Sequence, residues 1–106
     1  MKIYIIDFSG ANGIKEMISD DIEVFTEMKD GGKAYKEVGE IMPDFILINY
    51  NNKPRHGIQT AQAIKQRKKT TDIPILFIGG EQSEIDKIQN LGQSINSEQI
   101  GTYLQK

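Results

Sequence analysis

The sequence predicts an α/β fold, a parallel sheet with helices packed on both faces. Two observations lead there. Three short apolar runs, residues 3–6, 45–48 and 73–78, show almost no polar alternation, as expected of strands covered on both sides. Segments with helical spacing of apolar residues alternate with the strand-like ones, the order that gives parallel strands joined by right-handed crossovers.

Each element has its own justification. Ile3 to Ile6 is mostly β-branched and reads as the first strand. Residues 8–13 (Phe-Ser-Gly-Ala-Asn-Gly) form a turn-rich loop. Ile14, Met17 and Ile18 allow one brief helix to about Asp20. Residues 22–26 alternate and predict a second strand toward an edge of the sheet. Asp30-Gly31-Gly32 is read as a chain break. A helix then carries Ala34, Val38 and Ile41 on one face from Lys33 to Met42, and Pro43 marks its end. Phe45 to Ile48 is the third strand, and residues 51–57 are expected to be loop. Ile58, Ala61 and Ile64 give a helix through about Lys69 its apolar stripe. Residues 73–78 form the fourth strand. Ser83 is placed to cap a helix bearing Ile85, Ile88 and Leu91. Ser94-Ile95 is a poor fifth strand, and Ser97 starts a last short helix with Ile100, Tyr103 and Leu104.

The chain has 106 residues, which favours a single domain over residues 1–106. A formal net charge of −2 exerts no general pull on nucleic acid or acidic lipid. With no cysteine, disulfides and thiolate chemistry are excluded. The first apolar run is cut off by Asp7, too short for a signal peptide, and no segment reaches the roughly 20 apolar residues of a membrane span. A cytoplasmic domain is expected.

Ligands of open α/β sheets bind outside the carboxyl ends of the strands. Here those ends are Asp7-Phe8, Asn49-Tyr50 and Gly79-Gly80. The stretch PDFILINYNNKPRHGIQTAQAIKQRKKTTDIPILFIGG, residues 43–80, resembles the central part of a response-regulator receiver domain. The spacing from Asn49 to Gly57 and the Ile73-Pro74 opening of the fourth strand carry the likeness, and KIYIIDFSG resembles the family's first strand. The resemblance implies a flavodoxin-like three-layer sandwich whose five parallel strands run in the order 2-1-3-4-5.

The reactive positions depart from that pattern. Asn49 stands where a receiver has its phosphoacceptor aspartate, and a carboxamide cannot form an acyl phosphate. Asp7 matches one of the two acids that hold magnesium, and Phe8 occupies the place of the other. One carboxylate is a poor site for an ion that takes one or two carboxylates together with phosphate oxygens. Gly79 stands where the family has a hydroxyl, and no lysine lies between Lys87 and Lys106 to pair with a phosphate. Each missing charge-assisted hydrogen bond would be worth roughly 1.5–3 kcal/mol. The chain is thus similar to the degenerate, pseudo-receiver branch. The resemblance implies a signalling domain that is not an enzyme and acts through a protein partner or a second copy of itself. The surface implied is that of the fourth helix, fifth strand and fifth helix, roughly Glu84 to Leu104. No cofactor or metal is expected.

Two other readings use different residues. No acid occurs from Tyr50 through Thr71, a window holding Lys53, Arg55, Lys65, Arg67, Lys68 and Lys69. These would form a basic patch for a polyanion or nucleic acid. Their placement at the two ends of one helix, where cations also complement a helix C-terminus, favours a solvated face instead. The other reading is a small-ligand sensor in the crevice by Asp7, Asn49 and Gly79. His56 is the only histidine. Alone in its loop it makes a poor metal ligand and supports no Ser/His/Asp set. No glycine-rich nucleotide motif is present.

Overall fold

The computed structural model describes residues 1–8, 18, 21–49, 54–79, 88, 90–95 and 99–100. Within them the elements follow in the order β1 (Lys2–Asp7), β2 (Glu23–Glu27), α1 (Gly31–Ile41), β3 (Phe45–Asn49), α2 (Pro54–Gln66), β4 (Ile75–Ile78) and β5 (Gln93–Ile95). The strands make one five-stranded sheet, ordered β2-β1-β3-β4-β5, and every pairing is parallel. The expected architecture and strand order are therefore present, with β2 at one edge and the three-residue β5 at the other.

Side chains along a strand alternate between the faces of a sheet, and both faces of this one are buried. Tyr4, Ile6, Ile46, Ile48, Ile75 and Phe77 pack on one side against Ala34 and Val38 of α1 and Ala61 and Ile64 of α2. Ile3, Ile5, Leu47, Leu76 and Ile78 pack on the other side with Ile18, Ile95 and Ile100. The residues expected to carry the helical stripes are in the core, and Ile41 and Ile58 lie against it half-buried. The expected helices around residues 14–20, 83–91 and 97–104 fall largely outside the described residues. Of their apolar positions, Ile18, Ile88, Leu91 and Ile100 are buried.

Two expected loops are helix. Asp30-Gly31-Gly32 is no chain break. Asp30 is an extended N-cap whose carboxylate accepts the N–H groups of Gly32 and Lys33 at 2.9 and 3.2 Å, and both glycines lie in the first turn of α1. Such a cap satisfies donors that a helix start leaves unpaired. Likewise α2 begins at Pro54, since a proline has no N–H to miss at a first helical position. His56 and Gly57 are consequently helical. At its far end α2 stops at Gln66, three residues short of expectation. There Thr70, fully buried, donates its hydroxyl to the Ile64 carbonyl at 2.6 Å and turns the chain toward β4. The end of α1 is set by Met42 in the left-handed region (φ 53°), its N–H bonded to the Val38 carbonyl, just before Pro43. No helix of the described residues is long and apolar enough to cross a membrane.

Candidate functional site

The carboxyl ends of β1, β3 and β4 lie side by side. Asp7 is in register with Asn49, and Asn49 with Ile78. Gly79 follows with φ 87°, a conformation natural only to glycine. By alternation Asp7 and Asn49 share the face of Ile5 and Leu47, on strands about 4.8 Å apart. Asp7 is only 3% exposed and Asn49 is half-buried. Both engage other groups of the protein. The three residues named for a crevice are thus brought together by the register of the sheet.

Phe8 turns to the opposite face. It is 6% exposed and belongs to the core beneath α1 and α2. Its ring meets the edge of the His56 ring at 5.9 Å between centroids and 67° between planes. A methyl group built on Gly31 would stand 3.7 Å from the ring and would collide with the Thr60 hydroxyl. The first turns of both helices therefore close on Phe8, and His56, expected in a loop, is the helical residue that meets it.

This donor set does not fit a magnesium ion. Phe8 offers packed carbon where the receiver pattern offers a second carboxylate, and Asn49 is neutral. Magnesium is usually held by one or two carboxylates together with waters and phosphate oxygens, and Asp7 is the one carboxylate among the described residues at the ends of β1, β3 and β4. Among the described residues no group of three or more His, Cys, Asp or Glu is placed to hold a metal.

The five described residues of the expected basic patch lie along α2 and just beyond its end. Lys53 lies outside the described residues. Arg55 is exposed in the first turn of α2, and Lys68 and Lys69 are exposed beyond its end. Along the helix axis, Arg55 and the last helical residue, Gln66, are about 16.5 Å apart at 1.5 Å per residue. Lys65 donates to the carbonyls of Thr71 and Ile73 at 3.1 and 2.7 Å. Burial pushes its ammonium pKa down, and Asp72 acts in the opposite sense. The Arg67 guanidinium lies 4.9 Å from the Tyr35 ring centroid and donates to the Tyr35 carbonyl at 3.4 Å.

Among the described residues, four buried polar groups escaped the sequence reading, those of Tyr4, Glu27, Thr60 and Thr70. Tyr4 in β1 donates its hydroxyl to Glu37 of α1 at 2.6 Å. Burial, and then the bond and charge of Glu37, push that phenol far above its ordinary pKa. Glu27 at the end of β2 accepts the N–H groups of Lys29 and Asp30 at 3.0 and 3.1 Å and pairs with Lys33 at 3.6 Å. Burial raises its pKa, but these partners more than offset that and hold the carboxyl below its ordinary value. A polar residue in or beside an apolar run, as Tyr4 and Glu27 are, was the available signal.

Similarity to known proteins agrees with this fold. The family model TP_0454_N, described as an N-terminal domain, matches residues 1–93. The phosphate regulon transcriptional regulatory protein PhoB of Pseudomonas aeruginosa is 30% identical over 82 residues, covering 74% of this chain and 36% of PhoB. The DNA-binding transcriptional activator EvgA of Escherichia coli is 31% identical over 52 residues, covering 49% of this chain and 26% of EvgA. The chain thus spans about a third or less of the length of these curated relatives. The chemotaxis protein CheY4 of Vibrio cholerae superposes with a TM-score of 0.80 at 18% identity, covering 98% of this chain and 95% of that one. The chain therefore belongs to the TP_0454_N family of N-terminal domains, and its fold is that of the response-regulator receiver domains.

Proposed function

We propose that this chain is a pseudo-receiver in two-component signalling, one that takes up no phosphoryl group and acts by contact with a protein partner. The observation that carries the reading is the pair Phe8 and Asn49. A packed aromatic ring and a neutral amide stand at the strand ends where phosphoryl chemistry would need ionised carboxylates. Asp7 is the one carboxyl group there, with no nucleophile beside it among the described residues. The receiver-type fold supports signalling as the setting, and the chain itself has no catalytic role in this reading.

The partner would be engaged by the face that includes β5, most of whose flanking segments lie outside the described residues. The test is to incubate the protein with acetyl phosphate and magnesium and weigh it intact. An unchanged mass is expected. An acid-sensitive gain of one phosphoryl group, lost in Asn49→Ala or Asp7→Ala, would overturn the reading.

A further inference from the structure

One concavity among the described residues lies away from the strand ends. It is a groove of about 560 Å³ between α1 and α2, lined by Gly31, Gly32, Tyr35, His56, Gln59, Thr60, Ala63, Gln66 and Arg67. That volume falls within the range of small-ligand clefts. No carboxylate lines it, although Asp and Glu number 15 in the chain. Its lining offers side-chain amides from Gln59 and Gln66, the imidazole of His56, and one full positive charge, Arg67.

Arg67 is held in place from several sides. Its backbone N–H bonds to the Ala63 carbonyl, and its own carbonyl accepts the N–H of the buried Thr70. Its guanidinium lies over the Tyr35 ring and so close to Gly39 that a methyl group there would collide with it. Gly39 is in the interior of α1, where glycine is less favourable than alanine by about 1 kcal/mol. The chain thus accepts a weaker helix in order to seat this guanidinium. Yet of the five N–H donors on a guanidinium, one has a partner among the described residues, at a long 3.4 Å. No acid among them pairs with it. An arginine fixed in position with spare donors, beside an acid-free polar groove, is the arrangement that recognises a planar carboxylate or a phosphate.

We propose that the α1–α2 groove binds a small organic anion through its carboxylate or phosphate head, with Arg67 as anchor and the side-chain amides of Gln59 and Gln66 contacting the body of the ligand. This site is separate from the Asp7–Asn49 crevice, and it stands whether or not the protein accepts phosphate on a side chain.

The test is a titration of ¹⁵N-labelled protein with phenylacetate, phenyl phosphate and neutral phenylacetamide, followed by amide chemical shifts. Either anion, or both, should give saturable shifts at Gly31, Gly32, Gln59, Ala63 and Gln66, and which one binds identifies the head group. The neutral amide should bind at least tenfold more weakly than the better anion. Arg67→Gln should weaken binding at least tenfold. Gln66→Glu, at an exposed rim position that the fold does not need, should do the same by repulsion and serves if Arg67→Gln does not fold. Absence of saturable shifts, equal binding of the neutral probe, or indifference to both substitutions would overturn the proposal. Shifts confined to Asp7, Asn49 and Gly79 would overturn it as well.

Discussion

Replacing Phe8 by alanine separates a packed aromatic core residue from a loop residue that merely borders the crevice. Phe8 is 6% exposed and touches both helices and the sheet. Truncating a buried phenylalanine typically removes 3–5 kcal/mol, and the edge contact with His56 accounts for about 0.5–1.5 kcal/mol of that. Domains of this size have a total stability of about 5–15 kcal/mol, so the variant should remain folded with little margin. With a urea m-value of about 1–3 kcal/mol/M, the midpoint should fall by about 1–5 M. His56→Ala should cost about 0.5–1.5 kcal/mol, and the double variant should lose less than the sum of the singles, because the pair interacts directly. Equilibrium urea unfolding followed by circular dichroism measures all three. A loss below about 1 kcal/mol for Phe8→Ala would refute the reasoning, since surface substitutions fall within about 0.5 kcal/mol.

Other predictions concern the polar groups that tie the helices to the sheet. Tyr4→Phe removes the donor to Glu37 and should cost about 1.5–3 kcal/mol, the usual range for a bond to a charged group. Because the Tyr4 phenol is raised in the folded state, its stabilisation is complete below about pH 10, its ordinary pKa, and is lost as pH rises above that value. Alkaline unfolding curves should therefore be shallower for Tyr4→Phe than for the native protein. Glu27 has the opposite sign. Its pKa is lowered on folding, so its contribution is complete above the ordinary carboxylate range and is lost as pH falls through the folded value. Glu27→Gln should flatten the acid limb of stability against pH. Gly39→Ala should destabilise the native protein by displacing Arg67, yet stabilise an Arg67→Ala background by up to about 1 kcal/mol, the helix-propensity difference. Thermal unfolding of the four proteins of that cycle reads the sign change.

Much of the fold was legible because the central strands are uniform. Residues 3–6 and 45–48 are strands as expected, the fourth strand starts at Ile75 and not at Ile73, and parallel pairing followed from the helices between them. Residues rich in glycine, proline and histidine misled. Asp30-Gly31-Gly32 looks like punctuation, but Asp30 bonds forward to two N–H groups and starts α1. The run from Pro54 to Gly57 looks like loop, but a proline has no N–H to miss at a first helical position, and Gly57 is buried in the first turn of α2.

At the candidate site, the register that places Asp7 beside Asn49 follows from the alignment of strand ends. The inward turn of Phe8 follows from alternation with Tyr4 and Ile6, which could have been counted. The groove could not have been found that way. It depends on Gly39 and Arg67, 28 positions apart by subtraction of their numbers, meeting across two helices. A chain read one segment at a time shows only a glycine that weakens a helix and an arginine in a basic run.

The central claim, that the strand ends cannot assemble a metal-supported phosphoryl site, is tested most directly by a titration of ¹⁵N-labelled protein with beryllofluoride and magnesium, the beryllofluoride standing in for a bound phosphoryl group. The account predicts that the amides of Asp7, Phe8, Asn49 and Gly79 stay where they are, and that Phe8→Asp with Asn49→Asp is the combination needed to make them move. Saturable, magnesium-dependent shifts of those four amides in the native protein would contradict it.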